Sequence, residues 1–201
     1  MKYGLYYKYK EIGDKLRIIF SCEKKNTIKK SIEYVDIFYD DNKIAEIDIN
    51  GFSNFAKIKI NGLIPLINNE FLKLINSILE NKNLPRIQSQ ENSGFYVCQV
   101  LEVNEFDKCN DLKLVKITIG NDKEIEVISK GENLIKGMKC IFAEEGTFLN
   151  NETQVKKIKY KDFVSSGILC TATDLDFSIN DDLIIELGDG FEIGEDFYKL
   201  M

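Results

Sequence analysis

The 201-residue sequence has no histidine, no tryptophan and only 2 prolines. Without histidine it cannot form a Ser–His or Cys–His nucleophile pair, a histidine metal cluster or an imidazole acid–base group. The 5 cysteines never occur as a C-x-x-C pair, so a thiolate metal site is not expected. Cys98, Cys140 and Cys170 lie in apolar runs, which predicts small buried side chains. We therefore expect no metal and no cofactor.

Long apolar runs are also missing from the sequence. None approaches the ~20 residues that a membrane-spanning helix needs, and the start at Met1 has no signal-peptide pattern. An odd number of cysteines without an export signal fits a reducing compartment. These absences predict a soluble, cytoplasmic protein that does not contact a membrane.

Negative charge dominates the chain, with a net charge of −6. The excess lies in residues 94–201, where the net charge is −9 against +3 for residues 1–93. Bulk attraction to a nucleic acid is therefore not expected, and any such binding requires a local basic patch. The carboxylate pairs Glu144-Glu145 and Asp181-Asp182 have no nucleophile or metal-ligand spacing beside them. We interpret them as surface acids, and we expect no catalytic residues and no enzyme activity.

The first half of the chain changes from strand-like to helical periodicity. Alternating β-branched and aromatic residues predict strands over 3–9, 15–23, 31–39, 43–49 and 56–60, with a hairpin turn at Asp40–Asn42. Apolar residues at helical spacing then predict a helix over about 65–81. The polar stretch 83–93 ends this pattern. We predict a small α+β domain over residues 1–88.

The second half contains strand after strand separated by turn signals. Strands are predicted over 94–104, 112–119, 124–129, 138–144, 155–161, 167–172 and 183–187. Several short strands at such spacing are typical of a small all-β barrel or sandwich. We predict that this domain covers residues 94–201 and carries an acidic C-terminal extension.

Positive charge gathers in a strand-like pattern at one place. Lys157, Lys159 and Lys161 lie two residues apart, so an extended backbone puts all three on one face. Ile158 and Tyr160 would point the other way, toward a core. A row of ammonium groups suits a phosphate backbone. A solvated strand face with no ligand is the alternative interpretation.

Several segments of the second half, in order, resemble the tRNA-binding OB-fold domain. Gly94–Val103 resembles its first strand, and Glu126–Asn133 resembles its I-V-C-G-A-P-N segment. Lys156–Lys161 is similar to its K-K-x-K-L-R stretch, and Ser165–Ala172 to its E-S-x-G-M-I-C-S-A segment. This domain occurs near the start of the phenylalanyl-tRNA synthetase beta subunit, on methionyl-tRNA synthetases and in small stand-alone proteins.

The first half extends the resemblance to one branch of that group. Gly13-Asp14, Asn50–Ser53 and the helix around Leu66–Leu79 resemble the N-terminal domain of the YtpR family of stand-alone tRNA-binding proteins. The resemblance implies a mainly β chain, in which a small α+β domain precedes an OB-fold β-barrel. It also implies a non-catalytic translation protein whose partner is tRNA, bound through backbone and shape.

The resemblance also implies which residues contact RNA. Lys157, Lys159 and Lys161 would hold phosphates, and Ser165 and Gly167 would let the RNA backbone approach, with Ser165 donating a hydrogen bond. Further candidates are Asn133 for sugar or base, and Lys130 and Lys108 as extensions of the patch. Two residues also have an alternative, structural interpretation: Gly167 eases a turn, and Asn133 caps or turns the chain.

The sequence departs from the family pattern at several places, including Lys130 for the glycine of C-G-A-P-N and Asp162 for the glycine after the basic strand. The family's H-P-x-A-D-K-L loop is replaced by Phe106–Leu112, and the arginine of the basic strand is Lys161, which gives up a bidentate fork for a point charge. A second hypothesis follows from these changes and from the acidic C-terminus. The barrel would instead be a protein-interaction module that docks an aminoacyl-tRNA synthetase or forms a homodimer, with RNA binding weakened or lost.

Overall fold

A computed structural model describes residues 2–23, 27–107, 111–177 and 182–200. Lys108 and Asp181, both singled out in the sequence, lie outside these residues. The contacts divide the chain into two compact units, Met1–Glu91 and Asn92–Met201. The expected fold class is confirmed: the chain is mainly β, with a small α+β part at the N-terminus and a nearly closed five-stranded barrel after it.

The N-terminal unit is built on one antiparallel sheet of six strands. Its strands are β1 (Gly4–Tyr7), β2 (Lys15–Ile19), β3 (Thr27–Ile32), β4 (Val35–Asp40), β5 (Lys43–Asn50) and β6 (Gly62–Leu63), in the order β3-β4-β5-β2-β1-β6. Two helices belong to this unit, the one-turn α1 (Tyr9–Ile12) and the longer α2 (Asn69–Glu80). Ile75, Ile78 and Leu79 of α2 pack in the buried core of this unit, together with sheet residues such as Leu16 and Ile47.

The predicted hairpin at Asp40–Asn42 is confirmed. Asp40 pairs with Lys43 across a two-residue loop. Asp41 and Asn42 in that loop both have positive φ angles, 45° and 64°. Two left-handed residues make a turn whose twist matches antiparallel strands, and Asp and Asn tolerate that conformation. Local sequence alone therefore determines this turn.

Three predictions in the same unit were wrong. The single strand predicted over 31–39 is divided by a turn at Glu33 and Tyr34, and its two parts belong to the paired strands β3 and β4. Residues 56–60 alternate like a strand but pair with no strand of the described sheet, and Gly62–Leu63 pairs with β1 instead. The helix begins at Asn69 rather than near Pro65, because the Asn68 side chain caps it by accepting a hydrogen bond from the Phe71 N–H (2.9 Å). The apolar residues before Asn68 pack against the core from extended chain.

The C-terminal unit contains the barrel. Its strands are β7 (Phe95–Asp107), β8 (Leu112–Thr118), β9 (Glu124–Ser129), β10 (Lys139–Glu144), β11 (Ile158–Tyr160), β12 (Phe163–Ser165) and β13 (Gly167–Leu169). The five-stranded sheet has the order β13-β10-β7-β8-β9, and β13 also contacts β9, which nearly closes the barrel. Strands β11 and β12 form a separate two-stranded hairpin.

Three cysteines lie inside this barrel, as predicted. Cys98, Cys140 and Cys170 are completely buried, and the Cys98 and Cys140 sulfur atoms are 3.3 Å apart on directly paired strands. The hydrogen bond with Cys140, together with burial, raises the pKa of Cys98 well above its usual range. Burial does the same to the pKa of Cys170. The thiols of Cys98 and Cys170 are therefore neutral packing groups.

The acidic C-terminal segment is part of the barrel unit rather than an appendage. The Gly194 N–H donates to the Val97 carbonyl (2.8 Å), and the Val97 N–H donates to the Glu195 carbonyl (2.9 Å). The Asp196 carboxylate accepts hydrogen bonds from the Ser93 N–H (2.7 Å) and hydroxyl (2.5 Å). The segment thus runs along the start of β7. In the described part of the chain, no helix has the length and apolar character that a membrane crossing requires.

Candidate nucleic-acid interface

The lysine-rich stretch forms one side of the β11–β12 hairpin. Its strands pair Ile158 with Ser165, Lys159 with Val164, and Tyr160 with Phe163. Lys161 and Asp162 make the two-residue loop, and Lys161 has a left-handed φ of 54°. The sequence did not predict β12, because Asp162 reads as the end of a strand rather than as half of a tight turn.

The two faces of this hairpin differ in chemistry. Directly paired residues point to the same side, so Lys159 and Val164 share one face while Tyr160 and Phe163 share the other. Lys161 lies in the turn, so the expectation that three lysines occupy one strand face needs correction. The expectation that Ile158 points to a core was wrong, since the residue is 47% exposed.

All three lysines are exposed to solvent. The Lys157 ammonium lies 3.3 Å from the Glu145 carboxylate, with side chains 58% and 47% exposed. An ion pair this exposed stabilises a protein by only about 0–1 kcal/mol, so a phosphate could displace Glu145 at small cost. The Lys159 side chain has no ion-pair partner among the residues that the structure describes. Because all three lysines are exposed, none of the C-terminal acids that the structure describes buries them.

Ser165 anchors the hairpin to the barrel. It is fully buried, and its hydroxyl accepts a hydrogen bond from the Ile128 N–H on β9 (3.2 Å) and donates one to the Gly167 carbonyl (3.1 Å). The predicted direct hydrogen bond from Ser165 to RNA has no support in this geometry. The hydroxyl instead holds β12 against β9.

Gly167 is required by packing. A Cβ atom added there would lie 2.3 Å from Phe142 Cε2 and 2.7 Å from the Ala143 carbonyl oxygen. Both distances are far inside van der Waals contact, so any side chain would displace the buried ring of Phe142. Strand β10 therefore lies directly against Gly167. The glycine does not face open space where an RNA backbone could approach.

Asn133 acts as a clamp across the chain. Its Nδ2 donates to the Ile184 carbonyl (2.8 Å), and its Oδ1 accepts from the Ile184 N–H (3.0 Å). One side chain thereby pairs both backbone groups of Ile184, which also forms an isolated antiparallel bridge with Thr171. Ile184 in turn is 3% exposed and packs in the barrel core.

We expect Asn133→Ala to destabilise the barrel by about 1–3 kcal/mol, because it leaves both backbone groups of Ile184 unpaired. Urea denaturation followed by circular dichroism measures this. Asn104→Ala, on an exposed position of β7, is the matched control and should be near neutral. Lower RNA affinity with unchanged stability would instead identify Asn133 as an RNA contact.

Lys130 lies in a different environment from the hairpin lysines. It lines an open cleft of about 740 Å³, and the other charged lining residues in the described part of the chain are acidic: Asp111, Glu132, Asp174 and Asp182. This potential disfavours a phosphate. Among the described residues, no cluster of three or more His, Cys, Asp or Glu side chains could hold a metal.

The barrel matches a known family. Residues 95–196, about half of the chain, match the family described as "Putative tRNA binding domain". The chain belongs to this tRNA-binding domain family. The match includes all seven strands of the C-terminal unit, the lysine-bearing hairpin and the C-terminal segment up to Asp196.

Relatives share this domain in two settings. The chain is 29% identical over 158 residues to "Uncharacterized protein MG449 homolog" of Mycoplasma pneumoniae, covering 75% of this chain and 67% of that protein. It is 28% identical over 109 residues to the phenylalanine–tRNA ligase beta subunit of Vibrio parahaemolyticus, and 31% identical over 129 residues to that of a Wolbachia strain. These alignments cover 54% and 63% of this chain but only 14% and 16% of the ligase subunits.

Proposed function

We propose that the C-terminal barrel binds tRNA without catalysis, through the sugar–phosphate backbone, and that the lysines of the β11–β12 hairpin provide the phosphate contacts. The observation that carries the proposal is the exposure of Lys157, Lys159 and Lys161 on a hairpin that belongs to a tRNA-binding family domain. The hairpin is held to β9 by buried Ser165, so its cations project from a fixed base.

A protein with net negative charge can bind a polyanion when several of its cationic side chains are grouped at one place on its surface. At physiological salt the Debye length is about 8 Å, so exposed carboxylates farther away than this are largely screened from a phosphate at the hairpin. Asp162 adjoins Lys161 in the turn, and Glu145 pairs with Lys157 at an exposed site where an ion pair is weak. Glu124 and Glu126 line the depression beside Phe163 and Val164. Lysine supplies charge without the bidentate geometry of arginine, which fits recognition of a backbone rather than a base sequence.

The other predicted RNA contacts receive different roles in this proposal. Ser165, Gly167 and Asn133 position the hairpin and the adjoining strand, because their polar groups or their lack of a side chain are used inside the protein. Lys130 receives no phosphate contact, because the cleft around it is acidic. The interface is thus smaller than the sequence motif suggests.

Binding of deacylated bulk tRNA across a salt series tests the proposal, with duplex DNA as competitor. We expect log K to fall linearly with log salt, by roughly 0.7–0.9 per phosphate contact. Excess duplex DNA should compete poorly if the shape of tRNA contributes. Absence of saturable tRNA binding at low salt would reject the function.

A second candidate function is docking on a protein, either an aminoacyl-tRNA synthetase or a second copy of the chain. The observation in its favour is an exposed apolar side chain on each face of the same hairpin, Ile158 (47% exposed) on one and Val164 (48% exposed) on the other. Sedimentation of the purified protein over a concentration series detects self-association. Replacing Val164 by Ser would weaken a protein contact but leave the salt dependence of tRNA binding unchanged.

A further inference from the structure

Three aromatic rings meet where the hairpin adjoins the end of the long strand β7. The ring centre of Phe106 lies 5.9 Å from that of Tyr160 and 5.7 Å from that of Phe163. Tyr160 and Phe163 are directly paired in the hairpin, so they present their rings on the same face. We call these three residues the aromatic cluster.

The aromatic cluster is separate from the hydrophobic core of the barrel. That core is formed by 11 buried residues, and none of the three rings is among them or among the half-buried residues that pack against them. Each of the three rings is itself only partly buried. Packing of the core therefore does not account for three aromatic side chains at this position.

Open space adjoins one ring of the cluster. Phe163 lines a depression of about 430 Å³ between the hairpin and strand β9, with Val164 beside it and Ile125 on the opposite wall. Lys116, Glu124, Glu126 and Ser166 complete the lining, and the Lys116 ammonium pairs with the Glu124 carboxylate. The apolar part of the wall, formed by Phe163, Val164 and Ile125, offers a surface on which a flat group such as a nucleobase can stack.

Positive charge adjoins the same rings. The Lys161 ammonium lies 5.4 Å from the ring centre of Tyr160, in the turn that joins the two hairpin strands. Lys159 projects from the opposite face of the hairpin. A strand of RNA that crosses the tip of the hairpin would therefore meet a cation on each side of the aromatic cluster.

We propose that the aromatic cluster stacks an unpaired base of the bound RNA in the depression beside Phe163, while Lys161 and Lys159 hold the adjoining phosphates. The proposal rests on the RNA-binding function proposed above and specifies the kind of RNA. Bases within a duplex are already stacked on each other and cannot enter the depression, whereas loops and single-stranded ends can. The barrel therefore prefers RNA with unpaired nucleotides over a continuous duplex.

The test uses Phe163→Leu, which keeps an apolar side chain at the hairpin but removes the aromatic face. We expect it to weaken binding of a single-stranded RNA oligonucleotide and of deacylated tRNA by about 5- to 150-fold, the effect of one stacked base. Binding of a fully paired RNA duplex of the same length should not change. Phe177→Leu is the matched control, because Phe177 is a 54% exposed phenylalanine elsewhere in the same unit.

A second variant reports stacking directly. The chain has no tryptophan, so Phe163→Trp introduces a single indole whose fluorescence a stacked base quenches. We expect saturating single-stranded RNA to quench this signal. The same oligonucleotide made with abasic sites keeps every phosphate and should bind without quenching.

The outcomes separate this inference from the proposed function. If Phe163→Leu binds tRNA like the unmodified protein and Phe163→Trp is not quenched, the stacking proposal is overturned, while salt-dependent tRNA binding still supports the function. If the unmodified protein binds no tRNA, both proposals fail. If Phe163→Leu unfolds the hairpin, the indole variant alone decides, since quenching supports stacking and its absence at saturation overturns it.

Discussion

Replacing Lys157, Lys159 and Lys161 together by Ala is expected to weaken tRNA binding roughly a hundredfold near physiological salt. Each lysine that holds a phosphate releases counterions from the RNA when the complex forms, and this release favours binding. The triple variant loses the favourable free energy of three such contacts. The same loss should flatten the plot of log K against log salt, by roughly 0.7–0.9 for each contact. Fluorescence anisotropy of labelled tRNA at several salt concentrations measures both quantities.

The matched control removes three exposed lysines elsewhere in the C-terminal unit, namely Lys123, Lys136 and Lys199. It changes the net charge by the same amount, so it isolates the hairpin from the general charge of the protein. We expect the control to lower affinity only slightly and to keep the slope. Equal losses in the two triple variants would show that bulk charge rather than the hairpin governs binding.

Gly167→Ala is expected to destabilise the barrel by about 2–4 kcal/mol. The new methyl group would overlap the ring of Phe142, and overpacking of a dense core generally costs about 1–3 kcal/mol. The glycine also has a φ angle of 155°, which other residues rarely adopt. Thermal and urea unfolding of the variant measure the loss.

Gly188→Ala provides the control for that substitution. A Cβ atom at Gly188 meets no atom within 4 Å, so the added methyl group should leave the free energy of unfolding nearly unchanged. The comparison separates two interpretations of Gly167. Should Gly167→Ala keep full stability and yet lose tRNA affinity, the glycine would serve the approach of RNA instead of the packing of β10.

Sequence patterns predicted the local features of the fold well. Asp41 and Asn42 specify their turn by residue type alone, and the helical spacing from Ile75 to Leu79 locates the core face of α2. The order of motifs identified the barrel family, because those motifs form its strands. These features depend on neighbours within a few residues or on a pattern shared by relatives.

The sequence did not reveal contacts between residues that are far apart along the chain. Asn133 pairs with a residue 51 positions away, and Ser165 with one 37 positions away, so both looked like free polar groups near a basic stretch. The turn at Lys161 was missed because a lysine with positive φ has no signature in composition. Two of the polar residues assigned to RNA from the motif, Ser165 and Asn133, therefore lie within the protein's own hydrogen bonds.

The path of the C-terminal segment limits how the protein can be shortened. Gly194 and Glu195 lie against Val97, and the Asp196 side chain secures the chain just before β7. Trimming these carboxylate-rich residues in order to raise affinity for RNA would strip the first barrel strand of a hydrogen-bonding neighbour. A more basic surface could evolve here only by substitution of individual side chains. The backbone that carries them has to stay, because it is hydrogen-bonded to the barrel.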